Sequence, residues 1–274
     1  MQFARLTPGS KILFFVPHSD DLEFGPANIC VEALRLGCDV TEVVATNSAF
    51  GTKKPEFKGE RLYRIRKREL ARTLEVYEKH TGNELKLLRL EYIDGSLPLE
   101  KESIERIRNV MEEKSPDLIF APDPVYAQDY HEDHLNTGRL VWFALKSMER
   151  EQRPKHLFLY YTFKPNFGIA CDLSNVKVLK DAFYQHRSQV PPFKVGVYTT
   201  FKKVSLLVKY PRAKAFIDTV RHVPLKTTYC LDKHDNITSF KDRAIYSLFY
   251  KWMPPFPPEF YQLNGKKIEG KFED

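Results

Sequence analysis

The six residues Lys11-Ile12-Leu13-Phe14-Phe15-Val16 constrain this chain more than any other stretch. The run is short, β-branched and aromatic, and no polar residue interrupts its apolar part. That predicts a strand covered on both faces, as in a parallel sheet flanked by helices. Pro26 to Leu34 follows with apolar residues at helical spacing and stops at Gly37. Between strand and helix lies Pro17-His18-Ser19-Asp20-Asp21-Leu22-Glu23. In open α/β sheets this carboxyl edge is where ligands bind.

The alternation continues. Residues 39–47, 85–93 and 117–121 read as strands, and 59–80, 99–114 and 135–150 as helices. The pattern predicts an α/β fold: a Rossmann-like three-layer sandwich with a mostly parallel central sheet and right-handed crossovers. Residues 156–162 and 168–172 read as further strands and 175–189 as a helix. From Val190 the character changes, with Pro191-Pro192, Pro254-Pro255 and Pro257-Pro258 among many aromatics. The expected organisation is a core over residues 1–190 and an elaborated C-terminal region, 191–274, packed on it and available as a homo-oligomer contact.

His18, Asp20 and Asp21 need a physical reason to stand together, because neighbouring buried carboxylates repel unless a cation offsets them. A divalent metal is the simplest cation, and His with Asp is ordinary zinc chemistry. The plainer reading is a helix cap, for which Asp and Ser are well suited. A second cluster, Asp129-Tyr130-His131-Glu132-Asp133-His134, lies after the strand at 117–121 and leads into a helix. His131 and His134 are three apart and can share a face. Two such strand ends can meet across a sheet's switch point. A solvated polar loop is the alternative, weakened by the recurrence of His and acids at the same kind of junction.

Pro17-His18-Ser19-Asp20-Asp21 followed by His131-Glu132-Asp133-His134 resembles the LmbE-like, or PIG-L-type, zinc N-deacetylases, whose signature is His-Pro-Asp-Asp with a later His-Pro-Asp-His. Ser19 and Glu132 replace the two prolines, at positions that are not ligands. Arg66-Lys67-Arg68-Glu69, Asp94-Gly95 and His186-Arg187-Ser188-Gln189 also match, so the likeness spans about residues 10 to 190. The resemblance implies that His18, Asp21 and His134 ligate zinc, leaving an open position for water; iron or manganese could serve in such a site. It implies Asp20 as general base and His131, best as an imidazolium, as oxyanion stabiliser. Asp133 would orient a His from behind the ligands, and Arg66 would bind a substrate hydroxyl or orient the site. Spacing alone cannot order the neighbouring Asp20 and Asp21. The implied reaction is removal of an N-acetyl group from an N-acetylglucosamine-type conjugate, a small-molecule amino sugar. The alternatives are an amidase on a thiol or sugar conjugate, and a non-catalytic metal- or sugar-binding protein.

The composition allows this. A 42% hydrophobic content with 20 Phe and 14 Tyr can build a substantial core. The net charge of +7 comes from scattered bases, which gives no case for nucleic acid. No Gly-x-Gly-x-x-Gly follows the first strand, so dinucleotide binding is unsupported. Four cysteines without Cys-x-x-Cys spacing suggest reduced thiols in a cytoplasm. No apolar run approaches a membrane span, so neither a signal segment nor a membrane partner is expected. The loop at 48–55 is read equally as a wall of the substrate site or as a plain connector. His80, His156, His222 and His234 read as surface histidines.

Overall fold

The computed structural model describes residues 2–225, 231–233, 238–251, 262–263 and 266–267. The run that opened the sequence is β2 (Lys11–Val16), preceded by β1 (Gln2–Leu6), a strand the sequence pattern did not reveal. The short helix α1 (Asp21–Phe24) and α2 (Ala27–Arg35) follow, then β3 (Asp39–Thr46), α3 (Glu60–Thr81), β4 (Lys86–Tyr92), α4 (Lys101–Lys114) and β5 (Leu118–Pro122). Next come α5 (Glu132–Ser147), β6 (His156–Tyr160), β7 (Phe167–Cys171), α6 (Asn175–Phe183), α7 (Pro192–Lys209), β8 (Phe216–Pro224), β9 (Leu231–Lys233) and α8 (Phe240–Lys251). The nine strands form one sheet in the order β4-β3-β2-β5-β6-β8-β7-β1-β9.

β2, β3, β4, β5 and β6 are all parallel, as the alternation predicts, while β8 runs antiparallel to both β6 and β7. The stretch expected as a C-terminal extension therefore supplies a strand inside the main sheet. The chain builds outward from β2 through β3 to β4, then returns to lay β5 on β2's other side. The topological switch point is thus the crevice between β2 and β5, at their carboxyl ends.

Both faces of β2 are buried, and its alternation decides what each covers. Ile12, Phe14 and Val16 join a core with Leu34 of α2, Tyr77 of α3 and Val178 of α6. Leu13 and Phe15 join a second core with Met111 of α4 and Leu140 of α5. The three layers follow from this double coverage. Phe14 stacks on Phe120 of β5, with ring centroids 4.6 Å apart, which ties the two strands at the switch point.

Two of the four histidines expected at the surface are buried. His156 of β6 and His222 of β8 lie diagonally across the antiparallel pair, with Nδ1 of one 2.9 Å from Nε2 of the other. A lone histidine in a strand carries no mark of a partner donated by a distant strand. Burial pushes each down to about 4, aided by the neighbouring Lys155 for His156 and by His156 for His222. His80 pairs with Asp181 at 3.1 Å on the partly exposed surface. His234 lies outside the described residues. Cys30, Cys38 and Cys171 are buried free thiols.

α5 reaches the sheet through Gly138. A Cβ there would stand 2.3 Å from the Pro122 carbonyl oxygen at the end of β5, so only glycine permits this approach. Gly138→Ala is expected to destabilise the fold by about 1–3 kcal/mol. It should also displace His134, which sits one turn earlier on the same face. An unchanged melting temperature would contradict the close packing.

The His156–His222 pair generates a pH dependence. Its folded pKa values lie below the ordinary histidine value, so the unfolded chain takes up protons first as the medium acidifies. Stability from this pair is present above about 6.5 and is lost as pH falls toward about 4. Denaturant unfolding at several pH values checks this: His222→Gln should flatten that part of the profile relative to the unmodified chain.

Candidate metal and catalytic site

Four strand ends supply the site. β2 leads into His18, Asp20 and Asp21; β3 leads into Ser48 and Gly51; β4 leads into Asp94; β5 leads, through residues 123–131, into His131, Asp133 and His134. The Ser19 N–H donates to Ser48 Oγ at 3.1 Å, and the Thr46 hydroxyl donates to the Pro17 carbonyl at 2.9 Å, which lace the first two loops together. Ser48 has a φ of 56° and Tyr161, also beside the site, 53°. Such left-handed backbone in non-glycine residues persists where the surroundings hold it, and it clusters at functional sites.

The two distant motifs converge. Asp21 Oδ2 lies 2.9 Å from His18 Nδ1 and 3.3 Å from His134 Nε2. All three residues are buried, and their ligating atoms lie within 4.8 Å of one another. The outward nitrogen of each ring also meets carboxylate. His18 Nε2 stands 3.1 Å from both Asp133 Oδ2 and Asp94 Oδ1, and His134 Nδ1 stands 3.3 Å from Asp129 Oδ2.

A neutral imidazole has one N–H. If the outer nitrogens carry the N–H, the inner nitrogens present lone pairs to Asp21. Three electron-rich atoms then face one point, which requires either two further protons or one divalent cation. Without a metal the protons win. Burial opposes charge on His18, yet hydrogen bonds to Asp133, Asp21 and Asp94 raise it well above the ordinary histidine value. His134 is likewise raised against burial, chiefly by Asp21. Burial would raise Asp21, but His134 and His18 hold it far below the carboxylate range. Asp94, opposed by burial and pulled by His18, is lowered to about 2.

The donor set fits a metal. Ligands at about 2.0–2.1 Å on a tetrahedron stand roughly 3.3 Å apart, close to the 2.9 and 3.3 Å separations found here. Outer N–H groups held by carboxylates are the usual support of metal-binding histidines. His18, Asp94, His131 and Asp133 form a second grouping that could hold a cation, sharing His18 with the first.

Asp20 occupies the N-cap position of α1 but makes no side-chain capping bond, which removes the plainer reading of that residue. It turns instead to Arg66, whose Nη2 lies 3.3 Å from Oδ1. Arg66 Nη1 donates to the Ser48 carbonyl at 3.3 Å, and the residue is 3% exposed. Three residues along α3, Glu69 accepts from the Ser188 N–H and hydroxyl at 2.8 and 2.6 Å. His186 lies 3.1 Å from Glu23 Oε2, so the motif matches at 66–69 and 186–189 interlock behind α1.

α5 begins at Glu132, earlier than the expected Leu135, because His131 caps it. The Asp133 N–H donates to His131 Nδ1 at 3.3 Å, which puts the neutral ring's proton on Nε2. The ring is half-exposed, edge-on to His18 with centroids 4.9 Å apart. Asp133 is fully buried and accepts from the N–H groups of Gly95 at 2.6 Å and Leu97 at 3.0 Å. It therefore ties the β4 loop to His18. The sequence alone assigns no role to Asp94 or Asp129. Asp94 sat in a weak two-residue match and Asp129 among several acids, so only their contacts distinguish them.

A cavity of about 710 Å³ opens over these groups. Asp20, His131 and Arg66 line it together with Gly51, so the loop at 48–55 does form part of its wall. Tyr161, stacked on His134 at 5.6 Å, continues the lining, and Tyr198 and Lys209 of α7 and residues 216–220 of β8 complete it. The sequence carried no signal for that second half.

The family model described as GlcNAc-PI de-N-acetylase, PIG-L, matches residues 13–145. The chain is 30% identical over 195 residues to diacetylchitobiose deacetylase of Thermococcus kodakarensis, covering 66% of this chain and 70% of that protein. The chain belongs to the PIG-L family of N-deacetylases. That family is a group of metal-dependent amide hydrolases, and this member is accordingly a carbohydrate N-deacetylase. Among solved structures, N,N'-diacetylchitobiose deacetylase of Pyrococcus horikoshii superposes with a TM-score of 0.68 at 23% identity, over 79% of this chain and 84% of that one. The 4-carboxy-2-hydroxymuconate hydratase of Pseudomonas putida gives 0.61 at 13% identity, over 80% and 98%. These two likenesses speak to the fold alone, which also houses a hydratase.

A metal bound by the His18, Asp21 and His134 group would have to displace the protons that His18 and His134 otherwise hold. Affinity is therefore expected to rise with pH, by about tenfold per pH unit for each proton displaced below the histidine pKa values. Calorimetric titration in buffers of different ionisation enthalpy checks this through the number of protons released. No proton release at pH 6–7 would contradict the arrangement.

Proposed function

We propose that His18, Asp21 and His134 hold a zinc ion and that Asp20 is the general base of an acetamide hydrolysis. When bound, the ion supplies Lewis acidity toward the amide carbonyl and lowers the pKa of water. The observation that carries the reading is the meeting of His18, Asp21 and His134 at one buried point, with Asp20 alongside in the cavity wall.

Asp20 takes the proton of the attacking water and returns it to the departing amine, which leaves as an amino sugar while acetate is released. Arg66 fixes the Asp20 carboxylate by its contact at 3.3 Å and so acts as a positioning residue. Its burial leaves little of it for a substrate hydroxyl. His131 donates Nε2–H to the developing oxyanion, a role its half-exposed ring at the cavity edge suits. Asp133 and Asp94 hold His18 from behind.

The substrate is an N-acetylglucosamine conjugate carrying at least one further group. The cavity is within the range of about 300–1,000 Å³ that accommodates drug-sized ligands, larger than an acetamide needs. Tyr160, Tyr161 and Tyr198 offer aromatic surface to a sugar ring, and Lys209, Asp218 and Thr219 offer polar groups farther along. A disaccharide of the diacetylchitobiose type fits this description, and that is the substrate for which the archaeal relatives are named.

Acetate release from N-acetylglucosamine and from N,N'-diacetylchitobiose, with and without chelator, tests the reading. The disaccharide should be the better substrate and chelator should abolish turnover. Asp20→Asn should keep its metal and lower kcat by about 10²–10⁴-fold. His131→Ala should lower it by about 10²–10³-fold. Loss of metal from Asp20→Asn would reverse the labels on Asp20 and Asp21. Metal-loaded protein that releases no acetate would favour a binding protein.

A further inference from the structure

We propose that the outward face of α7 is a docking surface for an anionic membrane, on which the protein rests without crossing it. Phe193, Val197, Val204, Leu207 and Val208 are 70, 66, 51, 62 and 47% exposed. Phe193, Val197, Thr200, Val204 and Leu207 advance by four, three, four and three residues, and Val208 adjoins the last, so they form one stripe along the helix. The other side of α7 is already engaged. Val195 and Thr199 are buried, the Tyr198 hydroxyl donates to the Phe24 carbonyl at 2.5 Å, and Tyr198 and Lys209 line the catalytic cavity.

The neighbouring α8 packs against α7 and exposes further apolar side chains, Phe240 (80%), Ile245 (39%) and Leu248 (67%). The Arg212 N–H, just beyond α7, donates to Asp242 Oδ1 at 2.8 Å and fixes the approach of the two helices. An exposed patch of this kind on a folded protein marks an interaction site.

Charge selects the partner. α7 has no Asp or Glu; its sequence carries Lys194, Lys202, Lys203 and Lys209. Lys194 at its start, Arg212 and Lys214 past its end, and Lys241 and Arg243 on α8 are exposed. Asp242, the one acid of α8, is buried and occupied by Arg212 and Ser239. An apolar stripe on a helix whose charged residues are all basic is the make-up of a helix lying in a negatively charged lipid interface. Among the described residues no helix is long and apolar enough to cross a membrane, and an interfacial helix makes no such demand. Because one helix carries both the stripe and part of the cavity lining, docking would hold the cavity close to the headgroup layer.

Flotation of the full chain with vesicles of phosphatidylcholine, alone or mixed with phosphatidylserine, tests the proposal. The protein should float with the mixed vesicles, less with phosphatidylcholine alone, and less at high salt. Val197→Glu with Val204→Glu should reduce flotation at least tenfold while leaving the melting temperature and acetate release unchanged. Lys194→Glu with Lys214→Glu, a surface charge change that keeps the fold, should weaken binding to the mixed vesicles alone, and it decides the matter if the first variant misfolds. Absence of flotation, or flotation unchanged in the charge variant, would overturn the proposal. So would a dimer in lipid-free buffer that the first variant dissolves, which would assign the stripe to a second copy of the chain.

Discussion

One carboxylate organises this molecule. Asp21 Oδ2 is shared by His18, three residues away in sequence, and His134, more than a hundred away; the outer nitrogen of His18 is hydrogen-bonded to Asp133, and that of His134 stands 3.3 Å from Asp129. The arrangement is deficient in positive charge unless protons or a metal supply it. It can exist only because the sheet brings the ends of β2 and β5 side by side, with Phe14 stacked on Phe120 beneath them and Gly138 letting α5 close onto Pro122. The core is thus what makes two separate motifs one centre.

The supports are layered by distance from that carboxylate. Asp133 and Asp94 take the outer N–H of His18, and each is in turn held by backbone amides: Gly95 and Leu97 for Asp133, Phe50 and Gly51 for Asp94. Arg66 does for Asp20 what the acids do for His18. Behind it, Glu69 pins Ser188 and Glu23 meets His186, which ties α3, α1 and the segment after α6 together. In the proposed role of general base, Asp20 would gain from such fixing, because orientation is already set when substrate arrives.

Much of this was legible in the sequence. The two-face burial of β2, the alternation that makes the sheet parallel and the placement of both histidine motifs at strand ends follow from residue type and spacing, and most element boundaries fall within two residues. The contacts that depend on distant pairing were not legible. β1 and β8 are short or mixed in polarity, and only their neighbours in the sheet make them strands. His156 and His222 bury each other, a fact that neither residue's surroundings in sequence announce. By spacing alone Arg66 is one base among many on its helix; the family resemblance marks it, and only Asp20 opposite it shows what it holds. The wall from α7 and β8 was invisible for the same reason.

Anomalous diffraction from crystals of the zinc-loaded protein tests the central claim most directly. The account predicts one ion bonded to His18, Asp21 and His134, with Asp20 unbonded and facing the cavity. An ion held by His131, Asp94 and Asp133 without His134, or one bonded to Asp20 in place of Asp21, would contradict it.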